Sequence, residues 1–210
     1  MVGLGNPGSE FVGSRHNAGS EVVALLAERH AGRLKAEKGL RAQVGAVRIG
    51  DHPVLLAVPQ TFMNESGQAV APLVRRAGID QPRHAEQPDP RGGPAADRSA
   101  PGGLASRLII VHDELDLPSG RVKVKSGGGN AGNNGLRSIE SHLHTNEYLR
   151  VRIGIGKPPG REAGAAHVLK RPGAAERALI AVAIEEAADA VETIVTDGIA
   201  AAMNRVNTSD

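Results

Sequence analysis

With 210 residues and a formal net charge of +2, the chain fits one domain with a substantial buried core. The absence of cysteine excludes disulfide bonds and thiolate nucleophiles or metal ligands, and two Phe, one Tyr and no Trp argue against a nucleic-acid surface of stacked aromatic rings. Because neither a basic leader with an apolar run nor about 18 consecutive apolar residues occur, we expect a soluble cytoplasmic protein that does not enter a membrane.

The first feature along the chain is a glycine-rich turn after a short apolar start. Residues 2–19, VGLGNPGSEFVGSRHNAG, contain Asn6 and, just before a helical pattern, His16. An asparagine amide both donates and accepts hydrogen bonds, and a neutral histidine takes a proton from water near pH 7. We therefore interpret the stretch as part of a site. A surface or core histidine and ordinary turn chemistry at Asn6 are the alternatives that the sequence leaves open.

The same turn matches the G-x-G-x-x-G pattern of dinucleotide-binding proteins through Gly3, Gly5 and Gly8. That motif needs a helix that begins within the glycines, because the helix N-terminal amides hold the pyrophosphate. Here Pro7 disfavours a helix, and the apolar helical period starts only after Asn17. A nucleotide-dependent enzyme is thus the weaker alternative, and we expect no cofactor.

Regular secondary structure is predicted next. Residues 17–30 have a helical apolar face, and residues 43–58 read as a hairpin. A second helix is predicted to follow Asn64 and end near residue 77. Asn64 therefore lies at a strand-to-helix corner, where α/β proteins commonly bind ligands, but it fits the N-cap of the helix equally well.

Residues 80–106 differ in composition from the rest of the chain. They contain five Pro and four Gly, and Leu104 is their only large aliphatic residue. Such a segment cannot form a core of its own. We predict a flexible surface insertion without function, within a single domain that spans residues 1–210.

Residues 107–111, with LIIV after the first arginine, form the clearest buried strand in the sequence. The acidic residues Asp113, Glu114 and Asp116 follow it. A carboxylate that accepts a hydrogen bond from a histidine fixes its tautomer and stabilises the imidazolium that forms on proton uptake. Asp113 is therefore the candidate partner of His16, and a solvated acidic turn is the alternative for Glu114 and Asp116.

The C-terminal half begins with residues 121–125, RVKVK, which predict a strand with one basic face. The loop SGGGNAGNNG at 126–135 then leads into a helix, and the amides of such a loop can bind phosphate. Residues 157–170 are predicted to be a basic loop. Residues 174–196 form an amphipathic packing helix to which we assign no chemistry.

Charge is distributed unevenly over this half. Residues 121–171 contain ten Lys or Arg against three Asp or Glu, whereas residues 174–210 contain two against seven. Residues 148–156 predict a strand with Arg150 and Arg152 on one face. We expect a basic face that meets a phosphate backbone, and a solvated surface without a partner is the alternative.

Taken together, several blocks resemble the bacterial peptidyl-tRNA hydrolase family: GLGNPG with RHNAG, TFMNESG, HDELDLPSG, GGGNAGNNGLRS and RVRIGIGKPPG. They occur in the family's order and cover nearly the whole chain outside residues 80–106. The resemblance implies an α/β fold, a single domain with a twisted mixed β-sheet flanked by α-helices. It also implies metal-free and cofactor-free hydrolysis of the ester that joins a peptide to the ribose of the tRNA 3′ end, by a monomer.

The resemblance also assigns roles to individual residues. His16 matches the catalytic histidine of the family, and Asp113 matches its acidic partner. The residues that match substrate-binding positions are Asn6, Phe11, Met63, Asn64 and Asn134. The residues that match contacts to tRNA phosphates are Lys123, Lys125 and Arg152.

Three positions depart from the family pattern. Phe11 replaces a usual Tyr, which removes a hydroxyl beside the turn. Asn133 replaces a common His, and an amide can hydrogen-bond there but cannot carry a proton. Glu21 stands where an apolar or aromatic residue is usual, so we expect weaker packing of the first helix. If these departures impair turnover, the second alternative is an RNA-binding module without catalysis.

Overall fold

The computed structural model describes residues 1–79, 103–158 and 164–208. The strands in these ranges are β1 (Val2–Gly3), β2 (Lys35–Glu37), β3 (Ala42–Ile49), β4 (His52–Pro59), β5 (Ile109–Glu114), β6 (Val122–Ser126) and β7 (Leu149–Gly154). The helices are α1 (Ala18–Arg29), α2 (Ser66–Arg76), α3 (Leu104–Arg107), α4 (Asn134–Leu143), α5 (Gly164–Leu169), α6 (Ala174–Asp197) and α7 (Ile199–Asn207).

The strands form one mixed sheet in the order β2-β3-β4-β1-β5-β7-β6. Its centre is parallel, since β1 pairs with β4 and β5, and β5 pairs with β7. The outer strands β2, β3 and β6 run antiparallel to their neighbours. The predicted α/β class with a mixed sheet is confirmed. The carboxyl ends of β1, β4, β5 and β7 meet at one edge of the sheet, here called the carboxyl edge, where α/β proteins usually bind ligands.

Helices cover both faces of the sheet, and successive residues of a strand point to opposite faces. On β5, Val111 belongs to the core cluster under α1 and α6, which includes Leu26 and Ile184. The neighbouring Ile110 belongs to the cluster under α2 and α4, which includes Ile139. No helix within the described ranges is both long enough and apolar enough to cross a membrane.

The glycines of the first turn bring α1 close to β1. A Cβ atom at Gly3 would lie 2.1 Å from the carbonyl oxygen of Gly19, and one at Gly19 would lie 2.2 Å from that of Val111. Side chains are excluded at both positions because backbone atoms occupy the space. Since α1 begins only at Ala18, well after Gly8, these glycines serve helix packing and do not build a dinucleotide-binding turn.

The structure corrects several predicted boundaries. The strand predicted at 107–111 is β5, which extends through Glu114 because its pairing with β7 continues to Gly154. Asp113 and Glu114 therefore lie within the strand and not past its end. The loop predicted at 157–170 contains the short helix α5. The short edge strand β2 and the final helix α7 were not predicted from the sequence.

Most of the predicted insertion, residues 80–102, lies outside the described residues. Its last residues fall in α3, directly before β5. The flanking residues Ile79 and Gly103 are neighbours, since a Cβ atom at Gly103 would lie 3.9 Å from the carbonyl oxygen of Ile79. Both lie beside the start of β5, at the edge of the sheet opposite the carboxyl edge.

Candidate active site

His16 and Asp113 meet at the carboxyl edge. His16 lies in a 3₁₀ turn, Arg15–Asn17, that leads into α1, and Asp113 lies on β5. Nδ1 of His16 is 2.8 Å from Oδ1 of Asp113, and both residues are buried. An ionised carboxylate only accepts hydrogen bonds, so this contact assigns the proton to Nδ1 and leaves Nε2 unprotonated in the neutral ring. The sequence predicted this pair across 97 positions.

Asn133 connects the same carboxylate to α4. Its Oδ1 accepts hydrogen bonds from the amides of Gly135 and Leu136, at 2.9 and 3.2 Å, and so caps the helix. Its Nδ2 lies 3.4 Å from Oδ1 of Asp113. The amide that replaces the usual histidine thus still offers a donor to the carboxylate while it fixes the start of α4.

A cavity of about 90 Å³ opens beside the pair. The exposed Asn134, at the first position of α4, lies on its rim, and α5 forms the facing wall through Gly164, Ala165 and Val168. A larger cavity of about 500 Å³ lies at the opposite edge of the sheet and contains none of the predicted site residues. The cavity at the carboxyl edge is therefore the candidate active site.

Asn6 is locked to Asn17, the residue after His16. The backbone amide of Asn6 donates to Oδ1 of Asn17 at 2.9 Å, and Nδ2 of Asn17 donates back to the backbone carbonyl of Asn6 at 3.0 Å. Oδ1 of Asn6 accepts from the backbone amide of Met63 at 2.7 Å. Because that amide can only donate, the side-chain orientation is fixed and Nδ2 of Asn6 has no hydrogen bond to another described residue. The sequence suggested no role for Asn17 beyond its place beside His16.

Met63 lies in a different environment from the one predicted, whereas Asn64 lies at the predicted corner between β4 and α2. Met63 was predicted to line the cleft, but it is buried in the core under α4, where its sulfur lies against Gly135. Its contribution here is the backbone amide bound to Asn6. Asn64 is exposed in a 3₁₀ turn, and the residue that precedes α2 is Glu65. Asn64 is therefore not the N-cap of α2, and its side chain faces solvent.

Two aromatic rings flank this region. Phe11 contacts Phe62 edge to face, with ring centroids 6.4 Å apart. Phe62 is 55% exposed, which is unusual for a phenylalanine in a chain with so few aromatic residues. Sequence reasoning named Phe11 and missed Phe62, although the scarcity of aromatic residues was a usable signal.

Lys123, Lys125 and Arg152 lie together on β6 and β7, but two of them have partners within the protein. Nζ of Lys123 donates to the carbonyl of Asn207 at 2.9 Å. Arg152 donates through Nε and one terminal nitrogen to Oε2 of Glu114, both at 3.0 Å. The pKa of Lys125 is lowered, first by partial burial and then by nearby arginines. Because Lys123 and Arg152 already have partners within the protein, Lys125 is the member of the group best placed to contact an external anion.

Arg150 does not extend the basic surface as its spacing from Arg152 suggested. Its side chain is fully buried, lies 4.8 Å from the centre of the Tyr148 ring, and donates to the carbonyls of Gly128 and Gly129. Burial lowers the pKa of Arg150. The residue holds the glycine-rich loop whose far end lines the cavity.

The family model for peptidyl-tRNA hydrolase matches residues 1–84 and 103–210. The chain belongs to the peptidyl-tRNA hydrolase family. It is 46% identical to the peptidyl-tRNA hydrolase of Frankia alni over 98% of this chain and 91% of that one. It is 44% identical to that of Nocardia farcinica over 99% and 95%. The crystal structure of the peptidyl-tRNA hydrolase from Acinetobacter baumannii superimposes with a TM-score of 0.83 at 36% identity, covering 99% of this chain and 93% of that one.

Proposed function

We propose that this chain hydrolyses the ester bond between peptide and tRNA in peptidyl-tRNA, with His16 as general base. The proposal rests on membership of the peptidyl-tRNA hydrolase family together with one observation, the 2.8 Å contact between His16 and Asp113 beside the cavity. We further propose that the protein acts as a cytoplasmic monomer without metal or cofactor. In the described part of the chain, no three His, Asp or Glu side chains are grouped as metal ligands.

The chemistry follows from the tautomer. Asp113 holds the proton on Nδ1, so Nε2 of His16 takes a proton from water as the water oxygen attacks the ester carbonyl. A new carbon–oxygen bond forms, and the bond to the ribose oxygen then breaks. The protonated His16 returns its proton to that oxygen. Because a ribose hydroxyl leaves more easily than an amine, a general base without a covalent nucleophile is sufficient.

Asparagine amides supply the donors that this reaction needs. Nδ2 of Asn6 makes no hydrogen bond to another residue in the described ranges, and the orientation of the side chain is fixed by the backbone amide of Met63. A donor held in place beforehand stabilises the negative charge on the carbonyl oxygen in the transition state. We assign this role to Asn6, and we assign contacts to the peptide backbone to the exposed Asn64 and Asn134. The exposed ring of Phe62, supported by Phe11, offers an apolar surface to the peptide.

Lys125 is proposed to contact a tRNA phosphate, together with Lys123 and Arg152. Lys125→Ala is expected to weaken tRNA binding. It should also make the fall of log association constant with log salt concentration less steep, by about one unit of slope, because one fewer counterion is released on binding. The measurement is the dissociation constant at several salt concentrations. Lys123 is a poorer probe because its substitution also removes a hydrogen bond to Asn207 of α7.

Lys35→Ala is the matched control for Lys125. Lys35 is exposed on β2, which lies at the opposite end of the sheet order from β6. Its replacement removes the same charge from the protein but not from the proposed tRNA surface. Equal salt slopes for the two variants would show that Lys125 does not contact a tRNA phosphate.

The function itself is tested by the release of an N-blocked amino acid from its tRNA ester, with chelator present and no cofactor added. We expect release by the purified protein. A folded protein that binds the tRNA but releases nothing would favour the RNA-binding module. Activity that disappears with the chelator would contradict the metal-free mechanism.

A further inference from the structure

Arg15, the residue before His16, is tied to one segment of the C-terminal half. Its side chain is 9% exposed, and Nε and one terminal nitrogen donate to the two carboxylate oxygens of Glu176 at 2.7 and 2.5 Å. The other terminal nitrogen donates to the carbonyls of His167 and Lys170 at 3.2 and 3.1 Å. The backbone amide of Arg15 also donates to Lys170, at 3.3 Å. All five hydrogen bonds end between residues 167 and 176.

That segment begins within α5, the helix that forms the facing wall of the active-site cavity. Gly164, Ala165 and Val168 of α5 line the cavity opposite His16. A helix of six residues is too short to be stable without tertiary contacts. The carbonyl of His167 in α5 and that of Lys170 just after it are acceptors for Arg15, so the arginine holds the C-terminal end of this wall.

Glu176 completes the connection because it lies in the first turn of α6. The hydrogen bond from Arg15 is the largest cause of the lowered pKa of Glu176. Ser119 donates to the same carboxylate at 3.3 Å. A bidentate pair between an arginine and a carboxylate has a defined geometry, so it fixes both position and orientation. The turn that carries His16, the wall α5 and the start of α6 are therefore joined through one side chain.

We propose that Arg15 is a positioning residue that fixes α5 over the cavity and thereby sets the affinity for the substrate end beside His16. The effect on substrate rests on the proposed function, whereas the anchoring of α5 does not. The contact between His16 and Asp113 is formed without α5. Loss of Arg15 therefore acts mainly on substrate binding and much less on the chemical step.

A second ion pair provides the control. Arg177, the next residue along α6, donates to Glu21 of α1 at 3.3 and 2.6 Å. It joins α6 to the same N-terminal region, and among the described residues its side-chain hydrogen bonds go to Glu21 and not to α5. This pair also gives the unusual Glu21 a cationic partner. Arg177→Met removes an interhelical ion pair of the same kind without releasing the cavity wall.

The test compares Arg15→Met with Arg177→Met. For Arg15→Met we expect KM for the tRNA ester to rise about tenfold while kcat changes by less than about threefold. Hydrogen exchange of the backbone amides at 168–170 should accelerate about tenfold, whereas Arg177→Met should change neither quantity. If both variants lose only thermal stability and keep the parent KM and exchange rates, the proposal is wrong.

Glu176→Gln is the second variant, in case Arg15→Met does not fold. It removes the charge of the pair but keeps a side chain of the same shape, so a smaller change in KM and exchange in the same direction is expected. An unchanged exchange rate at 168–170 in this variant would overturn the proposal. Hydrogen exchange needs no substrate, so the anchoring is tested even if the parent protein shows no hydrolysis.

Discussion

His16→Ala is expected to lower the rate of ester hydrolysis by roughly two to four powers of ten, the usual loss for a removed general base. The reason is that Nε2 of His16 is the only proton acceptor that we place next to the attacking water. Binding of tRNA should be retained, because His16 is buried beside Asp113 and is not one of the residues that we propose to contact tRNA phosphates. The measurements are kcat/KM for the N-blocked aminoacyl-tRNA and the dissociation constant for tRNA.

His52→Ala is the matched control for this variant. His52 is exposed at the start of β4, at the opposite edge of the sheet from His16. The His52→Ala substitution should leave kcat/KM at the parent value. A His16→Ala protein that folds and hydrolyses within tenfold of the parent rate would show that another group activates the water.

Asp113→Asn is expected to lower kcat by about two to four powers of ten as well, while the fold is kept. An asparagine at this position can turn its NH₂ group toward Nδ1 of His16. The proton of the neutral ring would then lie on Nε2, so no base would face the water. Asp116→Asn is the control. Asp116 lies only three positions after Asp113 in the sequence, but its carboxylate is exposed and paired with Lys157.

The two substitutions act on one unit, so their effects should not add. The double variant His16→Ala/Asp113→Asn is expected to be no slower than the slower single variant, since Asp113 acts only through the imidazole. Additive losses would mean that Asp113 has a separate role, such as direct contact with the substrate. The same kinetic assay decides between the two cases.

Much of the sheet was predictable because its strands carry strong local patterns. The apolar run before Asp113 marks β5, and the alternation in RVKVK marks β6. The helix α5 was not predictable, because six residues are too few for an amphipathic period and its position depends on Arg15, about 150 residues earlier. The helix α7 was missed because Gly198, directly after α6, is a residue typical of a helix end, whereas a new helix starts directly after it.

Only those parts of the candidate site that carry a local sequence pattern were predictable. His16 and Asp113 stand in blocks with recognisable chemistry, but the lock between Asn6 and Asn17 is a pair of side-chain to backbone bonds with no local pattern. Charge counting located the basic segment at 121–171. It did not separate Lys125 from the buried Arg150, because burial of an arginine on Tyr148 and loop carbonyls is set only by the tertiary structure.

The closeness of Ile79 and Gly103 bears on how this chain tolerates changes in length. The described chain stops at Ile79, after α2, and resumes at Gly103, before α3, at nearly one point on the side away from His16 and Asp113. Closing such a gap with a flexible segment twice as long costs only about 0.6 kcal/mol more. Evolution can therefore lengthen or trim the chain here at little cost in stability. A reporter domain can be fused at the same point while His16 and Asp113 stay on an uninterrupted scaffold.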